Sequence, residues 1–543
     1  MTSSGFDFAF RLINDFSDCG VVAMLNCYAK EMNIDHDTID SPLTVMDRKE
    51  KHWMAAVALV LGSVSICAAQ SNRGDIDYAP TKAPKAQQGL AKIPIDPTGI
   101  NVVAGNLGDY KADFSNVFGN HMNLWMAAKK TGPCRIVWNL HAPADGVYEV
   151  DALAAKGADL TVICNDEKCG SAAVGQAWDR VGLGSIHLKE GDNILQLHAE
   201  AGKGFEFDAL ELIQPAVKAE MLKEALAMRR KPAWFKKVGY GLMFQWTNRA
   251  TPPEGPIKPW EEKVNDFDLD SFVDMVDASG AAYVMWSITW GNQYIAAPIE
   301  SLDAVIQGRT TSRDLLGEMA EALHERDIKL IFYYHYGYDC NHSVDSEWMK
   351  ASGGYKADKT EFYRNWIAIV SEIGERYGDR LHGWWFDGGQ RYYNCHFDNT
   401  PGDQGILSAP FKELTLTARR GNPDRIVAYN SWIKPRLTEY QDFYGGEGAT
   451  RFSGLDDGAF PSGPKEGLQA HGCFIFEREW GHIKPNAIIP KPRFSLEKMV
   501  KMVDRAKQGQ YPLSINLEMY EDGSVSPDSV TLLKGLRNAI RGK

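Results

Sequence analysis

The chain has 543 residues, 71 acidic against 59 basic side chains, a formal net charge of −12 and a pI near 5.6. That length exceeds one ordinary domain, and 44% hydrophobic with 11% aromatic content supplies a large core, so two or three folded units are expected. The acidic balance, with no basic run, argues against nucleic acid or an anionic membrane surface as partner.

Residues 54–66 (MAAVALVLGSVSI) form an apolar run preceded by Arg48, Lys49 and Lys51 and followed by CAAQS. This is the charged, apolar, small-residue layout of a secretory signal peptide, and it is short for a bilayer span. Residues 46–69 are therefore read as the signal and 1–45 as a doubtful leader, with Met46 or Met54 as the true initiator. The alternative is a genuine leader ahead of a short membrane anchor. Cleavage is expected after Ala69, because Cys67 and Ala69 are small, leaving a secreted or periplasmic chain without membrane insertion. Beyond that point the cysteines are Cys134, Cys164, Cys169, Cys340, Cys395 and Cys473, an even set that permits disulfides in an exported chain. Cys340 and Cys395 fall in neighbouring loops of the barrel described below and are the candidate pair. No CxxC or His/Cys cluster has zinc-ligand spacing, so neither a metal nor a cofactor is expected.

Residues 70–96 are polar, Pro-bearing and without periodicity, and read as a linker. From 97 to 216, short alternating runs (CRIVWNL, GVYEVDALA, ADLTVICND, DNILQLHAE, FEFDALELI) separated by turn signals predict an all-β sandwich. Its sequence is similar to the jelly-roll carbohydrate-binding modules, whose last strand carries a comparable DxLEL ending. The resemblance implies fold and a candidate sugar-binding role; many such sandwiches only brace a neighbour.

From 217 to 543 apolar strands alternate with amphipathic helices, which predicts an α/β domain with an irregular (β/α)8 TIM-like barrel. The eight strands are YGLMFQW (240–246), YVMWSI (283–288), KLIFYYH (329–335), GWWFDG (383–388), IVAYNS (426–431), DFYGG (442–446), CFIFER (473–478) and YPLSINLE (511–518). Helices are predicted over 268–279, 312–327, 356–378, 411–420, 495–508 and 527–541. In the third of these Phe362, Trp366, Ile369, Val370 and Ile373 share one face. No good helix fills 432–441 or 450–472. Active sites of this fold lie at the C-terminal strand ends, which here hold Gln245, Trp246, Trp290, His335, Asp387, Ser431, Glu447 and Glu477.

The segment GWWFDGG (383–389) presents Asp387 behind Trp384, Trp385 and Phe386 and ahead of two glycines. A carboxylate at the mouth of so apolar a strand has either chemistry to do or a partner, the bland alternative being a solvated strand-end Asp opening a turn. A glycosidase needs two carboxyl groups about the scissile bond. Glu447, in the Gly-rich turn after DFYGG, is the first candidate for the second group, with Glu477, Glu479 and Glu518 as rivals. Fifteen Trp are compatible with carbohydrate handling.

Over most of 234–543 the sequence resembles the α-L-fucosidases of glycoside hydrolase family 29. WFKKVGYGLMFQW is similar to the family's opening WF…FGIFIHWG, SRDLLGEMAEALHERDIKLIFYY to its helix and third strand, WWFDGG to its nucleophile strand, and EDGSVSPDSVTLLKGL to its closing DGxIxP segment. The resemblance implies a retaining enzyme with Asp387 as nucleophile. The family pattern DFxTxE, matched by Asp442, Phe443 and Glu447, implies Glu447 as acid/base. Three positions depart. The family's HWG histidine is Gln245, its HHD becomes Trp290, Gly291 and Asn292, and its sugar-clamping Arg falls on Ser431. Gln245 can donate and accept, Trp290 can stack on a sugar, and His335 and His342 are candidates to replace the imidazoles, though a strand-end His is often only structural. The expected substrate-binding set is Gln245, Trp246, Trp290, Asn292, His335, Trp385, Ser431 and Glu477, acting on an oligosaccharide or polysaccharide bearing α-L-fucose or a related sugar. The rivals are a glycosidase of other specificity and a carbohydrate-binding protein on a degenerate barrel; retention of Asp387 and Glu447 weighs against the second.

Overall fold

Alternation of buried and exposed side chains organises the N-terminal half of the computed structural model, which describes residues 92–119, 123–202, 204–337, 345–354, 356, 360–388, 409–432 and 434–541. The expected leader and signal peptide, with Cys340, His342 and Cys395, lie outside the described residues. The first eleven strands are β1 (Lys92–Pro94), β2 (Asn101–Ala104), β3 (Phe114–Gly119), β4 (Asn123–Ala128), β5 (Gly132–Ala142), β6 (Gly146–Ala155), β7 (Ala158–Cys164), β8 (Glu167–Val174), β9 (Asp179–Leu188), β10 (Gly191–Ala201) and β11 (Glu206–Ile213). They form a five-stranded sheet, β1-β5-β10-β7-β8, and a six-stranded one, β3-β4-β11-β6-β9 with β2 against β11.

In β5 every second residue from Cys134 to Ala142 is buried while its neighbours reach the surface, and β10 repeats the pattern. This period of two puts one face of each strand into a common core with Trp138, Leu160, Leu197, Phe207 and Leu210. β1 begins inside the stretch expected as linker. Only Ile93 and Ile95 carry its apolar signal, too short a run to read as a strand, yet both are buried and β1 pairs with β5.

The C-terminal half carries β12 (Tyr240–Phe244), β13 (Tyr283–Thr289), β14 (Lys329–His335), β15 (Gly383–Asp387), β16 (Ile426–Tyr429), β17 (Gly472–Ile475) and β18 (Leu513–Leu517). They form one seven-stranded sheet, β16-β15-β14-β13-β12-β18-β17, every pairing parallel. The expected helices occur as Leu269–Ser279, Leu315–His324, Thr360–Tyr377, Phe411–Ala418, Leu496–Gln508 and Pro527–Arg541. The side chains of Asp268, Asp314 and Ser495 cap three of them by accepting from the backbone N–H three residues on. Among the described residues no helix lies between β16 and β17, and none is long and apolar enough to cross a membrane.

Both faces of this sheet are apolar, which is why its strands read as continuous hydrophobic runs. Leu242, Phe244, Trp286, Phe332, Trp384 and Phe386 pack outward against helices, whereas Met243, Met285, Ile331, Tyr333, Trp385 and Ala428 fill the concave side. The expected sixth strand, 442–446, is not a regular strand. It joins the two edges of the sheet through isolated contacts: the Asp442 N–H donates to the Val427 carbonyl at 2.7 Å, and Phe443 and Glu447 form parallel bridges with Gln469 and Cys473. Asp442 anchors the segment, its buried carboxylate accepting from Arg419 at 2.7 Å and from the Val427 N–H at 2.8 Å. Gly446 is the reason a regular strand fails here. Its φ is +72°, and a Cβ there would lie 1.8 Å from the His471 carbonyl oxygen.

Candidate active site

Strand parity decides which side chains reach the concave face. Asp387 shares the parity of Trp385 and therefore turns inward at the end of β15, level with His335 on β14. One oxygen of Asp387 accepts from the Tyr333 hydroxyl, and the other accepts from Asn430 Nδ2 at 3.0 Å. The same Nδ2 donates to Glu447 Oε2 at 2.7 Å. Asn430 Oδ1 in turn accepts from the Trp432 backbone N–H at 3.1 Å. That bond fixes the orientation of the amide: its oxygen is occupied by a donor, so its NH2 faces the two carboxylates.

The backbone around Glu447 is held from both sides. Trp385 stacks on Tyr333, ring centres 5.1 Å apart, and its indole N–H donates to the Gly445 carbonyl at 3.0 Å. The same carbonyl accepts from His471 Nδ1 at 2.9 Å, while His471 Nε2 lies 2.9 Å from Ser514 Oγ, itself 2.7 Å from the Tyr283 hydroxyl. Burial lowers the His471 pKa from 6.5 to about 4, so the ring is neutral, with its proton on Nδ1 and Nε2 accepting from Ser514.

Gln245, Trp290, Asn292 and His335 lie near the mouth of the concave face. Gln245 has the inward parity of Met243, and its Oε1 accepts from Ser287 Oγ at 2.5 Å. Trp290 packs on the concave-face core together with Trp480, with the Arg249 guanidinium 5.3 Å from its ring, and Asn292 bridges to Trp290. His335 Nδ1 accepts from the Gly337 N–H at 3.2 Å, which leaves the proton on Nε2. Trp385 is 2% exposed, so it supports the pair from beneath and offers no face to a ligand.

Three expected residues are not brought to the pair. Trp246 has the outward parity of Phe244; it is buried against Trp260, Phe267 and Trp286 and donates to the Tyr520 carbonyl at 3.1 Å. Ser431 likewise turns away from the concave face and donates to the Lys434 carbonyl at 3.0 Å. Glu477 is fully buried, accepting from Ser529 Oγ at 2.5 Å and from the Glu518 N–H at 3.0 Å, and burial raises its pKa to about 8. Of the rival acids, Glu518 is committed to the N–H groups of Arg478 and Glu479, at 3.1 and 3.0 Å. Conversely, Tyr333, Asn430 and Trp480 were not anticipated. Parity held the signal for Asn430, since Ile426, Ala428 and Asn430 fall on one face of IVAYNS.

An α-L-fucosidase family model matches residues 214–535. Similar solved structures include an α-L-fucosidase from Lactobacillus casei in complex with α-L-fucose product, 15% identical, covering 57% of this chain and 98% of that one with a TM-score of 0.40. Another is a family 29 α-L-fucosidase from Bacteroides thetaiotaomicron trapped as a covalent intermediate, 16% identical, covering 58% of this chain and 75% of that one with a TM-score of 0.41. No curated protein matches the chain. Because the family model spans more than half of the sequence and contains all of the paired-carboxylate site, the chain belongs to the α-L-fucosidases, family 29 of the glycoside hydrolases.

Proposed function

We propose that this glycoside hydrolase removes terminal α-L-fucose, or a closely related sugar, from an oligosaccharide or polysaccharide with retention of configuration. Asp387 attacks the anomeric carbon as Glu447 protonates the departing glycosidic oxygen. Glu447 then takes a proton from the water that releases the sugar from Asp387. The observation that carries this reading is the shared amide of Asn430. A trigonal nitrogen donating to both carboxylates sets their facing oxygens ~5 Å apart, the separation at which the second carboxyl acts as a nucleophile and leaves no room for an intervening water. Gln245, Trp290, Asn292 and His335 would hold the sugar in place of the family's imidazoles and guanidinium.

In this reading the seven strands together with 442–447 make an irregular (β/α)8 barrel, the N-terminal sheets are a jelly roll similar to carbohydrate-binding modules, and residues 46–69 direct export. The test is kinetic. Asp387→Ala abolishes turnover of every substrate. Glu447→Ala spares aryl fucosides with acidic leaving groups and is accelerated by azide, which needs no general base. Full activity in Asp387→Ala sinks the mechanism, and equal losses on good and poor leaving groups without an azide effect remove Glu447 from its role.

A further inference from the structure

Three indoles form a row from the N-terminal sheets to the catalytic pair. Trp178 stands in the turn between β8 and β9, partly exposed, and meets Trp125 of β4 edge to face with ring centres 5.5 Å apart. Trp125, 6% exposed, is in turn 6.3 Å from the ring of Trp432, which is also partly exposed. Trp432 follows Asn430 by two residues and is clamped by the groups that build the site. Its N–H donates to Asn430 Oδ1 at 3.1 Å, and its carbonyl accepts from the Tyr444 hydroxyl at 3.0 Å. Its φ of +52° is a left-handed conformation that a bulky aromatic adopts only where its surroundings impose it, and such outliers concentrate at functional sites.

The N-terminal sheets hold this segment directly. Lys434 Nζ pairs with Asp208 of β11 at 2.7 Å, and Arg180 of β9, paired with Glu211 at 2.6 Å, donates to the Arg436 carbonyl at 3.3 Å. The Lys434 ammonium lies 5.8 and 5.9 Å from the Trp178 and Trp125 rings, but its charge is answered by Asp208. The platform therefore offers apolar indole faces with no unanswered charge. That chemistry suits the C–H face of a neutral pyranose.

We infer that Trp178 and Trp432, backed by Trp125, form a leaving-group subsite that stacks on the sugar next to the scissile bond, so that a residue of the N-terminal unit takes part in substrate recognition. This rests on the assignment of Glu447 as acid/base, since that group faces the departing oxygen and Tyr444, three residues before it, holds Trp432.

The experiment compares kcat/KM of the full chain and its Trp178→Ala and Trp178→Phe variants on 4-nitrophenyl α-L-fucoside, which has no second sugar, and on neutral fucosylated disaccharides of differing linkage. Trp178→Ala should lower the disaccharide value at least about tenfold more than the aryl value, mainly through KM, with Trp178→Phe restoring part of the loss. Equal losses on both substrate types overturn the subsite and leave the N-terminal sheets as a brace. If the wild-type chain turns over neither substrate, the proposed reaction fails instead. Quenching of tryptophan fluorescence by the same disaccharides then decides the subsite: quenching lost in Trp178→Ala upholds it, and quenching unchanged or absent in the wild type overturns it.

Discussion

Trp385 donates its indole N–H to the carbonyl of Gly445 across the concave face of the sheet, at 3.0 Å. Each of these residues lies two positions before a carboxylate of the proposed catalytic pair, Asp387 in one case and Glu447 in the other. The separation of the pair is therefore set by backbone anchored close to both groups, and Asn430 joins the side chains themselves.

Asn430→Ala should cost roughly a hundredfold in kcat/KM for an aryl fucoside, because the two carboxylates lose their common donor and their fixed separation. An unchanged kcat/KM would show that Asn430 does not couple the pair.

Tyr333→Phe removes a hydroxyl donor to Asp387. That hydroxyl holds one oxygen of Asp387 in place, so the variant should lower kcat/KM for an aryl fucoside roughly tenfold, chiefly through kcat. An unchanged kcat/KM contradicts the arrangement.

Gly446→Ala and Gly448→Ala flank Glu447 and should behave differently. Both glycines have positive φ, +72° and +73°. A methyl at 446 meets the His471 carbonyl at 1.8 Å, whereas nothing lies within 4 Å of one at 448. The first should lose ~3 kcal/mol or more and most activity, the second about 1 kcal/mol of backbone strain. Thermal unfolding and a rate assay on the pair decide it.

Glu477 should make the fold less stable as pH rises. Its folded-state pKa of about 8 lies above the ordinary 4.5, so the folded chain binds more protons than the unfolded chain between those values and stability falls across that window. Glu477→Gln stays neutral, and the Ser529 hydroxyl can turn to accept from the new amide. Its Tm should exceed that of the wild type at pH 8 to 9 by a margin that shrinks toward pH 5. A constant margin would mean that Glu477 is not the group responsible.

The regular parts of this fold were legible because their physics is local. Helices such as Thr360–Tyr377 show their buried face at helical spacing, and strands buried on both sides show as apolar runs. The site was half legible for the same reason. Asp387 stood out as a charge ending an apolar strand, and Gln245 stood with it, but Trp246 and Ser431 lie one residue off the two-residue period that turns Gln245 and Asn430 inward and those two outward. The 442–447 segment lost its strand character to Gly445 and Gly446, whose contacts with Asn430 and His471 arise only in three dimensions. Glu477 looked available because Ser529, which engages it, comes from a helix far along the chain.

The neutral imidazole of His471 has a consequence for the range over which the enzyme can work. Its grip on Gly445 holds the position of Glu447 without carrying charge, so the ruler that spaces the pair keeps its form as the medium is acidified from neutrality toward pH 4. Protonation of a ring buried between Gly445 and Ser514 is disfavoured in the folded chain, so the stability it supplies is lost as pH falls from the ordinary 6.5 through about 4, which bounds the acid tolerance of the site.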